Sequence, residues 1–142
     1  MTGPGPLHAT VVAHHGPAGW RGLLIAGPSG AGKSDLALRL IGRGWRLVAD
    51  DYCHVWASDG GLYATAPQTI RGRIEARGLG ILDRPERATV RLALGLDCVC
   101  GPVERLPEPR TRALAGIDLP WIVLDPRPAS AVELVAAAID TL

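Results

Sequence analysis

At 142 residues with 47% hydrophobic side chains, the chain has the apolar material for one core and too little length for a second, so residues 1–142 are read as a single domain. A formal charge of +1, with arginines scattered rather than bunched, argues against nucleic acid as a partner, because phosphate-backbone binding leaves a basic stripe. Residues 1–7 hold neither a basic nor a long apolar leader region and no stretch is long enough to span a bilayer, so the expected location is the cytoplasm, with no membrane partner.

In chain order, His8 to Ala13 alternates toward a strand. His14 to Gly22 reads as a Gly/Pro-containing hairpin loop in which His14 and His15 are solvated and Trp20 is exposed. Leu23 to Ala26 is the short apolar run of a buried parallel strand, and Asp35 to Arg43 carries Leu36, Ala37, Leu40 and Ile41 at helical spacing before Gly44. Between them lies Gly27-Pro28-Ser29-Gly30-Ala31-Gly32-Lys33-Ser34, a complete G-x-x-x-x-G-K-S/T phosphate-binding loop at a strand-to-helix handover. Lys33 is the single lysine among fifteen lysine and arginine residues. A P-loop needs a compact ammonium on a flexible stem to reach the β- and γ-phosphate oxygens of ATP, a place a planar guanidinium cannot fill, and Ser34 then offers its hydroxyl to Mg2+.

Trp45 to Ala49 reads as a second buried strand ending in Asp50-Asp51. Alone, that pair could be a polar strand terminus; behind a P-loop it is a metal ligand or general base. Tyr52 to Trp56 and Leu62 to Thr65 form a hairpin turned by Ser58-Asp59-Gly60-Gly61. Residues 66–87, rich in proline, glycine and charge, read as a functional loop with a helical start near Thr69 to Arg73. Thr89 to Cys100 looks like one strand interrupted by Gly95, residues 101–120 lose all pattern, Trp121 to Leu124 is a strand and Ser130 to Leu142 an amphipathic helix. Trp45 and Trp121 are expected in the core. Cys53, Cys98 and Cys100 make neither a metal motif nor an even disulfide set and are read as small buried apolar residues.

Glu75-Ala76-Arg77-Gly78-Leu79-Gly80-Ile81-Leu82-Asp83 supplies a carboxylate for metal, a guanidinium for phosphate and two glycines that admit close backbone approach. Together with His8, the P-loop and Leu47-Val48-Ala49-Asp50-Asp51, this stretch resembles the HPr kinase/phosphorylase family, differing from its signature only at Ala76. Ala9 stands where that family has glycine. Val103-Glu104-Arg105-Leu106 is similar to the segment that carries the family's essential arginine, and Asp125 to Ser130 to its loop before the last helix. The N-terminal domain of the long members is absent, so the chain resembles the short, catalytic-core form.

The resemblance implies an α/β fold of the PEP carboxykinase-like P-loop type, mainly β-sheet with a helix after the P-loop and another at the C-terminus. It implies ATP and Mg2+ as cofactors. The acceptor would be a serine of the phosphocarrier HPr or its nitrogen-system paralogue, with a reverse phosphorolysis that releases pyrophosphate, in a homo-oligomer, hexameric by resemblance. The residues then divide as Gly27 to Ser34 for nucleotide, Ser34 and Glu75 for metal, and Asp50 or Asp51 as acid/base, the family pattern favouring Asp51. His8 would tune that aspartate, although a histidine opening an apolar strand is also an ordinary edge residue. Arg77 and Arg105 would neutralise transition-state charge. A small-molecule P-loop kinase would need a lid and substrate domain for which there is little room; a non-catalytic ATP sensor sits poorly with intact Asp50, Asp51 and Glu75.

Overall fold

The alternation that begins after His8 runs on through both neighbouring histidines. In a computed structural model that describes residues 6–142, β1 (Thr10–Gly16) and β2 (Gly19–Ala26) form an antiparallel hairpin turned by Pro17 and Ala18, with Gly19 at φ +91°. The expected hairpin is thus present, but its turn is confined to Pro17 and Ala18 and the rest of 14–22 is strand. His14 is not solvated: its ring stacks on Trp45 at 4.7 Å and its Nδ1 lies 3.8 Å from Asp140 Oδ1. His15 does point to solvent, tilted against Trp20, which is half-buried beneath the Arg87 guanidinium. Of the two histidines only His15 lies on the wet face of β1, while His14, one residue earlier, packs inward on Trp45.

After the P-loop comes α1 (Lys33–Ile41), whose Leu36, Ala37, Leu40 and Ile41 turn inward as their spacing requires. β3 (Arg46–Ala49) returns antiparallel to β1 with a bulge between the Val11 and Val12 pairings. The hairpin β4 (His54–Ser58) and β5 (Gly61–Thr65) forms as predicted, with Asp59 and Gly60 at positive φ. Within 66–87 only a single 3-10 turn, Gln68–Ile70, precedes a second hairpin, β6 (Arg73–Ala76) and β7 (Gly80–Asp83).

β8 (Thr89–Cys98) runs unbroken through Gly95. Its first residues pair with β5 and its remainder lies between β2 and β10 (Ile117–Leu124), parallel to both. β9 (Arg110–Leu114), in the stretch that showed no pattern, pairs with β10 through a turn at Ala115 and Gly116. The strand order is β3-β1-β2-β8-β10-β9, with β4 and β5 joined through β8. Pro120, which has no N–H, sits on β10 just before the residues that pair with β8. The C-terminal helix α2 (Ala131–Asp140) packs with α1 on one face of the sheet.

The sheet thus separates two apolar clusters. Leu23, Ile25, Leu36, Leu40, Leu94, Leu96 and Val135 fill the helix-bearing side; Val11, Leu24, Leu62, Leu92, Leu119 and Trp121 fill the other. Among the described residues no helix is long and apolar enough to cross a membrane. The carboxyl ends of β2, β8 and β10 open at one end of the sheet, where an α/β fold binds its ligands.

Cys53 and Cys98 are buried as expected, and burial pushes their thiols up to about 12 and about 11; Cys100 is exposed, contrary to expectation. Titration of the native protein with a thiol reagent near pH 8 should therefore label Cys100 rapidly and the other two only after denaturation, as peptide mapping would show. Gly95 is required for space rather than as a break: a Cβ there would lie 2.1 Å from the Trp121 ring. Gly95→Ala should destabilise the fold by about 1–3 kcal/mol or more through overpacking, read as a lower urea midpoint with the slope unchanged.

Candidate active site

The phosphate loop bends because its glycines take conformations that side chains resist. Gly27, Gly30 and Gly32 have φ of +144°, +83° and +99°, and Gly32 faces the ring of Pro126, whose Cγ would be 3.0 Å from an added Cβ. Lys33 opens α1 and is 5% exposed. Its Nζ donates to the carbonyls of Gly27 (2.8 Å) and Pro28 (3.0 Å), so the ammonium ties the loop to itself from within. The first-turn N–H groups of α1 have no intrahelical acceptors and face the loop with the positive end of the helix dipole, an arrangement suited to anions.

Asp50 and Asp51, adjacent at the end of β3, have different surroundings. Asp50 is 8% exposed, and both its oxygens are occupied. Oδ1 accepts from Ser34 Oγ at 2.6 Å and from Thr10 Oγ1 at 3.2 Å, while Oδ2 accepts the backbone N–H of Glu75 at 3.0 Å. Asp51 instead has φ +69°, the Tyr52 N–H bonds back to the Asp50 carbonyl across it at 2.8 Å, and its side chain is 55% exposed. That three-residue turn with positive φ is a strained γ-turn, and it points Asp51 away from the burial of Asp50.

The Asp51 carboxylate lies 2.7 Å from His8 Nε2, and the His8 ring leans on Tyr52 at 5.2 Å between centroids. Asp51 lines a cleft of about 540 Å³ together with Ser29, Gly30, Lys33, Ser34, Glu75 and Arg77. Glu75 and Arg77 arrive on the β6–β7 hairpin, which β3 and α1 support; Arg77 Nη2 would be 3.7 Å from a Cβ added to Gly30. The fold therefore gathers His8, the P-loop, Asp50, Asp51, Glu75 and Arg77. Arg105 is exposed in the segment between β8 and β9 and is not among the residues that line this cleft.

Two supports acquire their roles only in the fold. Thr10 reads in sequence as one more β-branched strand residue, yet it is fully buried and touches both aspartates. The other is the loop after β10. Asp125 is held by the Arg127 guanidinium, which with the Arg127 and Gly101 backbone N–H groups keeps its carboxyl well below the usual carboxylate range. Arg39 of α1 reaches the Pro126 and Pro128 carbonyls, so the loop that carries Pro126 onto Gly32 is anchored both to Gly101, beyond the end of β8, and to α1.

Comparisons with known proteins point to one family. Residues 7–87 match the HPr Serine kinase C-terminal domain family, from before β1 through the β6–β7 hairpin. The chain is 53% identical over 64 residues to an HPr kinase/phosphorylase of Clostridium novyi, covering 45% of this chain and 21% of that protein. It is 47% identical over 79 residues to the HPr kinase/phosphorylase of Clostridium tetani, covering 56% and 25%. The chain thus matches about a fifth to a quarter of the length of these curated relatives. The structure of the HPr(Ser) kinase/phosphatase from Coxiella burnetii superposes with a TM-score of 0.81 at 26% identity, over 97% of this chain and 95% of that one, so its fold is shared almost end to end. On this sequence match, the chain belongs to the HPr Serine kinase C-terminal domain family.

Proposed function

We propose that the protein is an ATP- and Mg2+-dependent serine kinase of the phosphocarrier HPr or its nitrogen-system paralogue, and that it also runs the reverse phosphorolysis. The observation that carries this reading is one cleft lined by the P-loop lysine and serine together with Asp51, Glu75 and Arg77. The names of the Clostridium and Coxiella relatives support HPr as the acceptor. A cytoplasmic homo-oligomer, a hexamer by family resemblance, belongs to the same proposal.

The donor set suits Mg2+. Ser34 donates its hydroxyl hydrogen bond to Asp50, which leaves its oxygen lone pairs available to a cation, and Glu75 adds a carboxylate. Among the described residues no three His, Cys, Asp or Glu side chains converge into a preformed cage, in keeping with an ion that takes one or two protein oxygens beside phosphate and water. When bound, Mg2+ would neutralise charge on the β- and γ-phosphate oxygens. Lys33 exchanges its loop carbonyls for those oxygens, and the amides of Gly30 to Ser34 hold the phosphates in line. Asp51 accepts the proton of the incoming serine hydroxyl, with His8 keeping the carboxylate oriented. Arg77, which lines the cleft, would supply the charge-neutralising guanidinium, with Arg105 outside that lining.

In reverse, inorganic phosphate stands in for the β-phosphate and attacks phosphoserine, whose phosphoryl group lies in the γ-phosphate place. The phosphorus–serine oxygen bond breaks as a phosphoanhydride forms, Asp51 passes the phosphate's proton to the serine oxygen, and pyrophosphate leaves.

Lys33→Ala should lower phosphotransfer from ATP by about 100-fold or more, with the circular dichroism spectrum unchanged and poor rescue by arginine; parent-like rates would reject the P-loop assignment. Asp51→Asn should depress kcat with ATP·Mg2+ affinity nearly unchanged, whereas Glu75→Gln should raise the Mg2+ concentration needed for half-maximal rate. The reverse pattern would exchange their roles. Incubating phosphoserine-HPr with enzyme, Mg2+ and phosphate should yield pyrophosphate in step with dephosphorylation; intact phosphoserine under conditions that support the kinase would limit the protein to the forward direction.

A further inference from the structure

We infer that Thr10 is a positioning residue for the reaction: its single hydroxyl holds the metal-side aspartate and the acid/base aspartate in their two different conformations. The inference rests on the kinase reading above for its catalytic consequence, though the geometry stands without it. Thr10 lies on β1, on the helix-facing side of the sheet shared with Val12, and is 0% exposed. Its Oγ1 is 3.2 Å from Asp50 Oδ1 and 3.1 Å from the Asp51 backbone nitrogen.

The directions of both bonds are fixed by chemistry. The Asp51 N–H can only donate, so it occupies a lone pair of Oγ1 and the hydroxyl proton is left for Asp50. Thr10 thereby shares Asp50 Oδ1 with Ser34, whose Oγ donates at 2.6 Å. The same oxygen also pins the first amide of the γ-turn at Asp51. A non-glycine residue at φ +69° persists only where its surroundings over-determine it. Around Asp51 the determinants are the Tyr52-to-Asp50 backbone bond, the His8 contact, the reciprocal backbone pair between Leu7 and Cys53, and Thr10. Thr10 alone among these binds both aspartates.

Valine has nearly the shape of threonine and suits a buried strand, so Thr10→Val removes the hydroxyl and leaves the Asp51 N–H without its buried acceptor. Phosphotransfer should fall in kcat by about 10-fold or more, the loss of one hydrogen bond to a charged group, with the KM for ATP within about twofold of the parent. Thr10→Ser, which keeps the oxygen, should recover most of the rate. Amide hydrogen exchange at Asp51, followed by NMR in the full chain, should accelerate in Thr10→Val and stay protected in Thr10→Ser. Thr10→Ala provides the same readouts should the valine variant not fold. Parent-like kcat and Asp51 protection in the hydroxyl-free variant would overturn the inference, as would equal losses with valine and serine. If the parent itself phosphorylates no HPr-type serine, the functional reading fails separately, and the exchange measurement alone decides whether Thr10 holds the turn.

Discussion

The site depends on the burial of one carboxylate. Asp50 is nearly removed from water, a position that costs several kcal/mol for a charged group unless donors replace the lost solvent. The donors come from three elements: Ser34 on α1, Thr10 on β1 and the Glu75 amide on β6. Satisfying that one group therefore fixes the helix behind the P-loop, the strand beside β3 and the signature hairpin relative to one another. Weakening a donor leaves a buried acceptor short, a cost borne by all three elements that meet there.

This also explains how two neighbouring aspartates acquire different environments. An extended strand would send successive side chains to opposite faces of the sheet, and only one could meet the cleft. The γ-turn at Asp51 breaks that alternation. Asp50 stays in the interior as organiser of Ser34, and Asp51 swings into the cleft, with His8 at its carboxylate.

What the sequence revealed, and what it hid, follows from the kind of signal each residue emits. The P-loop, the aspartate pair and the stretch from Glu75 to Asp83 are contiguous and chemically unusual, so they stood out before any fold was known, and the amphipathic spacing of α1 and α2 was equally plain. β9 was silent because it is exposed along almost its whole length, which erases the alternation that marks a strand. Gly95 was misread because a glycine that ends a strand and one that admits a tryptophan from the next strand look alike until Trp121 is placed opposite it. Thr10 gave no signal at all, since its meaning lies in two partners 40 and 41 residues away. Arg105 is the opposite case, a residue marked by resemblance that the fold keeps out of the cleft lining.

The far side of the P-loop is braced by different physics. There the Pro126 ring packs on Gly32, and the loop that carries it is fixed by Asp125 to the residue after Cys100 and by Arg39 to the helix that the P-loop begins. A hydrogen-bonded carboxylate thus stands on each side of the phosphate loop: Asp50 buried and shared among elements, Asp125 paired with a neighbouring guanidinium. With the Arg127 guanidinium largely in solvent, the ion pair contributes little stability by itself, so the Asp125 brace matters through the geometry it imposes on Pro126 rather than through its own energy. The two sides divide the work accordingly. The Asp50 side ties Ser34, Thr10 and the Glu75 amide to one buried carboxylate, while the Asp125 side seats the left-handed Gly32 turn against the Pro126 ring, so that the P-loop is held from two directions by different interactions.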